Sequence, residues 1–233
     1  LAGNDAATAS VTGLKYEVPS TKLTSLNITD NSDVALSGFT FDPDTLTYNL
    51  LTKLSTVKIS YQEVSANIDP TTVTDGSDAD ISSSLSSLTL TSGNNVVKIT
   101  ITSKFAGISP TTYTLNINFD NIPPTINNLQ PVQDSFISNA NIGYQLSEDL
   151  ASGKVKFINT TDNTQQEVNL TGAELSSGVR SLAALTNVPT LIDGKTYTIE
   201  INGTDLVGND AATASVTGLK YEVPSTKLTS LNI

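Results

Sequence analysis

The sequence predicts an all-β chain of two antiparallel β-sandwiches in tandem, together one period of a 205-residue repeat. Three observations predict it. Apolar residues alternate with polar ones in many short runs, and turn residues interrupt those runs at close intervals. Residues 206–233 also restate residues 1–28, with Ala2 replaced by Val207 as the one difference. A tandem array cut at an arbitrary point produces such an overlap, and near-identity between copies marks recent duplication.

Composition supports β-structure and narrows the chemistry. Thr, Ser, Asn and Val are abundant, whereas strong helix formers are sparse. At 37% hydrophobic residues the chain can build cores, though thin ones. His, Cys, Met and Trp are absent, so there are no disulfides, thiolate metal sites or histidine bases. A chain free of Cys and Met also offers little to oxidants, which suits an exposed location. The formal charge is −11, from 23 acidic and 12 basic residues. That balance argues against nucleic acid and anionic membrane surfaces as partners, because both select Lys and Arg. No apolar run approaches the roughly 20 residues that a spanning helix requires.

Taken in order, residues 1–21 correspond to a last strand and linker, duplicated at 206–226. A first sandwich is expected over 22–119. There Val57, Ile59 and Tyr61 alternate with Lys58 and Ser60, and Val97, Ile99 and Ile101 with Lys98 and Thr100. Tyr113, Leu115, Ile117 and Phe119 alternate with Thr114, Asn116 and Asn118. Period-2 alternation places one set of side chains inside and the other in water. Ser92-Gly-Asn-Asn95 and Asp75-Gly-Ser77 read as turns. Pro123 and Pro124 cannot sit inside a sheet ladder and mark the passage to a second sandwich over 120–224. In it Val155 and Phe157 face in while Lys154 and Lys156 face out, and Tyr197, Ile199 and Ile201 oppose Thr198 and Glu200. Residues 225–233 open the next copy of the first sandwich.

Several short motifs add to this pattern. Leu23-Thr-Ser-Leu26, Gly38-Phe-Thr-Phe41-Asp42 with Tyr48, Gly93-Asn-Asn95 and Thr112-Tyr-Thr-Leu115 together resemble the cadherin-like β-sandwich domain of bacterial surface proteins. Pro123-Pro-Thr125, Leu146-Ser-Glu-Asp149 and Asp205-Leu-Val-Gly-Asn209 resemble the bacterial Ig-like repeats of large adhesins. The resemblance implies an extracellular, cell-surface protein. The cadherin-like name denotes a fold and carries no cadherin adhesion chemistry with it.

Candidate sites follow from the acidic residues. In an Ig-type sandwich the B–C and F–G loops gather at one end, where the first strand also starts. That brings Asp120 near Glu148 and Asp149 of the B–C loop and Asp205, Asn209 and Asp210 of the F–G turn. Hard oxygen ligands from three loops, expected at a domain junction, are what Ca²⁺ requires, and the resemblance to adhesin repeats implies calcium at such junctions. Asp and Asn equally suit turns, so a calcium site and a set of solvated turn residues both fit. Asp75-Gly-Ser-Asp78-Ala-Asp80 lacks EF-hand order and reads as an ordinary loop. Four Asn-x-Thr triplets, at Asn27, Asn159, Asn169 and Asn202, are glycan acceptors if the source glycosylates them.

The expected function is mechanical. The chain reads as a stalk or filament segment whose partners are neighbouring repeats of the same chain, with no catalytic residues. One alternative is a self-assembling subunit of an extracellular filament, sheath or surface layer, partnered by other copies. Another is a carbohydrate-binding module, which usually stacks sugars on exposed aromatics. With no Trp and only 7 Tyr and 6 Phe, the chain supplies few of them.

Overall fold

The computed structural model describes residues 20–64 and 67–224. The duplicated segment at 1–18 and the next copy at 225–233 lie outside the described residues. The described chain is built of strands and short 3₁₀ turns and divides into two compact units, centred on residues 20–117 and 118–224.

The first unit comprises β1 (Leu23–Thr29), β2 (Thr47–Thr52), β3 (Thr56–Glu63), β4 (Thr72–Asp75), β5 (Leu88–Thr89), β6 (Gly93–Ile101) and β7 (Thr111–Phe119). One sheet runs β1–β3–β5 and the other β2–β7–β6–β4. The alternating residues form the core as the sequence predicts. Val57, Ile59, Val97, Ile99, Ile101, Tyr113, Leu115 and Ile117 are buried together with Leu23, Leu26 and Ile28.

Tyr61 differs in being only half-buried. The turn expected at 92–95 is shorter than the sequence suggests. Gly93, at φ +90, supplies the left-handed bend, and Asn94 and Asn95 already belong to β6. The Asp75 loop is an Asx turn, in which the Asp75 carboxylate accepts the N–H groups of Ser77 and Ala79.

The motif from Gly38 to Tyr48 closes one end of this core. Phe39 meets Tyr48 edge-on at 5.2 Å, and Phe41 lies 5.9 Å from Tyr113. Both hydroxyls are satisfied, as buried phenols require. Tyr48 donates to the Asp42 carbonyl (2.6 Å) and Tyr113 to the Pro43 carbonyl (2.8 Å). Tyr113 also accepts the Leu23 N–H, which ties the first strand to β7.

The second unit comprises β8 (Ile126–Gln130), β9 (Phe136–Ile137), β10 (Ile142–Leu146), β11 (Leu150–Asn159), β12 (Thr164–Asn169), β13 (Gly178–Ala183), β14 (Thr196–Asp205) and β15 (Ala214–Tyr221). Its sheets are β13–β10–β8 and β12–β11–β14–β15–β9. The pairings are antiparallel except β15 with β9, where Lys220 opposes Phe136 and Tyr221 opposes Ile137 in parallel. Val155, Phe157, Tyr197, Ile199, Ile201 and Leu219 fill the core, facing Tyr144 and Leu146. Lys154 and Lys156 project outward, where Glu167 pairs with both and Glu200 lies 4.0 Å from Lys156. Pro123 and Pro124 lie outside the strands, in the stretch leading into β8.

Candidate cation site

The acidic cluster belongs to the second unit and is assembled from three separate stretches of chain. Asp120 precedes β8, Glu148 sits in the tight turn between β10 and β11, and Asp205 is the last residue of β14. These correspond to the linker ahead of the first strand, the B–C loop and the F–G turn of the expected sandwich. One carboxylate oxygen from each lies within 4.8 Å of the other two.

Asp205 is the anchor, and it is almost wholly buried at 2% exposure. It caps its own turn. Its Oδ1 accepts the N–H groups of Val207 and Asn209, both at 2.8 Å, and its Oδ2 accepts the Asn209 side-chain amide. Gly208, at φ +89, provides the left-handed residue that closes this turn. The Asn209 amide also donates to the Asp120 carbonyl (3.2 Å), drawing the segment ahead of β8 against the turn.

The electrostatics separate the members. Burial would raise the Asp205 carboxyl, but hydrogen bonds from Asn209, Val207 and Gly208 outweigh it and hold the group below its usual range. Glu148 moves the other way. Burial raises it first, and the charges of Asp120 and Asp205 raise it further. Among the described residues, none of the three carboxylates forms an ion pair with Lys or Arg. The donor set is all hard oxygen from convergent like charges, which fits a hard divalent cation and gives a soft one no ligand.

The other three expected ligands have different roles. Asn209 braces Asp205 and Asp120 through its amide. Asp149 turns to accept the Ser177 N–H at 2.7 Å, which holds its carboxyl below the usual range. Asp210 is exposed and accepts the Thr204 hydroxyl. The four sequon asparagines also differ. Asn27 and Asn169 are exposed and Asn202 is half-buried. Asn159 is 3% exposed, with its oxygen accepting the Thr161 and Asp162 N–H groups and its nitrogen donating to Asp162.

Sequence reasoning missed a second polar centre in this unit. Glu174 is 3% exposed, yet it accepts from the Thr171 N–H and from the N–H and hydroxyl of Thr186. Arg180 lies 3.5 Å away, and the Tyr144 hydroxyl donates to the Glu174 carbonyl. Burial opposes the Glu174 charge, but these bonds and Arg180 prevail and lower its carboxyl. Burial pushes the Tyr144 phenol up to about 12. The readable signal was Thr171-Gly-Ala-Glu174, a capping-box spacing.

Comparison with known families matches this architecture. Residues 23–118 match the cadherin-like beta sandwich domain, and residues 120–222 match the bacterial Ig-like domain. Along the chain a match to the cadherin-like β-sandwich is thus followed by a match to the bacterial Ig-like domain, in the order of the two units. Search of curated proteins found no match.

Similar solved structures include the chicken CNTN1 FN1–FN3 domains, at 13% identity and TM-score 0.36, covering 77% of this chain. A tetra-tandem repeat in the extending region of a large adhesion protein is similar at 15% identity and TM-score 0.34, over 73% of this chain. A two-domain fibronectin type-III segment from chicken tenascin, at 14% identity and TM-score 0.30, covers 83% of this chain and is itself 97% covered. The chain spans 65% of the first of these structures and 48% of the second. No helix among the described residues is long and apolar enough to cross a membrane.

Proposed function

We propose that this chain is a spacer: one period of a long extracellular stalk that holds another part of its protein away from the cell surface and catalyses nothing. The observation carrying this reading is the restatement of residues 1–28 as 206–233 around two sandwich domains. Repeats whose contacts are mostly internal or with their neighbours gain length by duplication without redesign of any core. Strand ladders bear load, and a mostly polar surface keeps a long chain from aggregating.

In this reading Asp120, Glu148 and Asp205 hold Ca²⁺, with water completing the six to eight oxygens it takes. The ion would neutralise the three charges and tie the segment ahead of β8 to the B–C and F–G turns. The Asp205 turn is preorganised for this by Asn209. Electron microscopy of native material, without detergent, tests the spacer reading. Single thin rods beaded in pairs of domains are the expected result, whereas ordered tubes or sheets would replace the spacer with a self-assembling layer.

A further inference from the structure

β15 is the fourth strand of the five-stranded sheet of the Ig-like domain. It lies between β14 and β9, with Leu219 wholly buried and Val216 nearly so. Its register on β14 pairs Leu219 with Tyr197, Val216 with Ile199 and Ser215 with Glu200. The slot is selective at one further point. Gly218 has φ +73, and a Cβ there would collide with the Asp134 carboxylate.

Residues 9–16 (ASVTGLKY) are identical to β15, and the match extends back through the turn that precedes it. Leu14, Val11, Ser10 and Gly13 stand where Leu219, Val216, Ser215 and Gly218 stand. Every demand that the slot makes of β15 is therefore met by a second segment of the same chain. We infer that the slot between β14 and β9 accepts Ala9–Tyr16 of another copy in place of its own β15, so that copies can be linked by strand exchange. An exchanged element makes the same contacts in either molecule, so the barrier is the release of β15 and not any loss of fit. This inference rests on the fold and on the identity of residues 9–16 with β15.

The test uses the 233-residue chain, which has no native cysteine to interfere. Ser10→Cys and Glu200→Cys place two thiols at positions that oppose one another only when residues 9–16 occupy the slot, within disulfide reach. Leu219→Asp is added to weaken the resident strand. The expected result is a ladder of covalent oligomers on non-reducing gels. The same ladder is expected at several-fold lower yield, rising with concentration, when Leu219 is intact, which keeps the test valid if Leu219→Asp impairs folding. Adding Leu14→Asp should abolish both ladders. Monomers alone, whether with free thiols or an internal bridge, would overturn the inference. A ladder that survives Leu14→Asp would overturn it as well.

Discussion

Glu174 and Glu148 sit in one domain and respond to pH in opposite senses. Glu174 is lowered, so the folded chain stays ionised where the unfolded chain takes up a proton. Its contribution is complete above the ordinary carboxyl value and is lost as pH falls through the folded one. Glu148 is raised, so the folded chain holds a proton that the unfolded chain has lost. Without a cation, its ionisation removes stability as pH rises from its ordinary value of 4.5 through the raised folded one. Glu174→Gln should therefore flatten the acid limb of the stability profile and cost about 1–3 kcal/mol at neutral pH, since buried partners lose an acceptor. Glu148→Gln should instead raise stability at neutral pH in chelator. Urea unfolding between about pH 3 and 7 separates the two. In the first unit, Tyr113→Phe strips a partner from both the Leu23 N–H and the Pro43 carbonyl. A loss of about 1–3 kcal/mol is expected, confined to that unit's calorimetric transition.

At the scale of elements, alternation made the long strands legible, because burial of one face enforces a period of two. Val97 to Ile101 and Tyr113 to Phe119 needed no further information. Shorter pieces such as β5 and β9, two residues each, carry too few side chains to show a period. Their existence depends on neighbours distant in sequence. The same limit applies to Glu174, whose cap spacing was present while its partners Thr186 and Arg180 were set by folding. Gly203 shows what an element tolerates. A Cβ there would come within 2.6 Å of Leu150 Cδ1 and 2.8 Å of the Ser152 carbonyl on β11. Gly203→Ala should push β14 from β11 and cost about 1–3 kcal/mol, read as a lowered melting temperature of the second unit.

For the whole molecule, composition and duplication carried the functional reading, while loop geometry refined the site. The sequence named six candidate ligands because it could place them on three loops at one end of a sandwich. It could not show that Asp149 would satisfy Ser177, or that Asn209 would serve as a brace. The direction in which a loop side chain points depends on backbone partners that only the folded chain supplies. The central claim about this site is that convergent carboxylates stabilise the Ig-like domain by taking up Ca²⁺. Scanning calorimetry of the chain in excess calcium and in chelator tests it most directly. At 100-fold excess over Kd the second unit should melt roughly 10–20 °C higher in calcium, and Glu148→Gln should erase most of that gain. Identical melting of the wild-type chain in calcium and in chelator would contradict the claim.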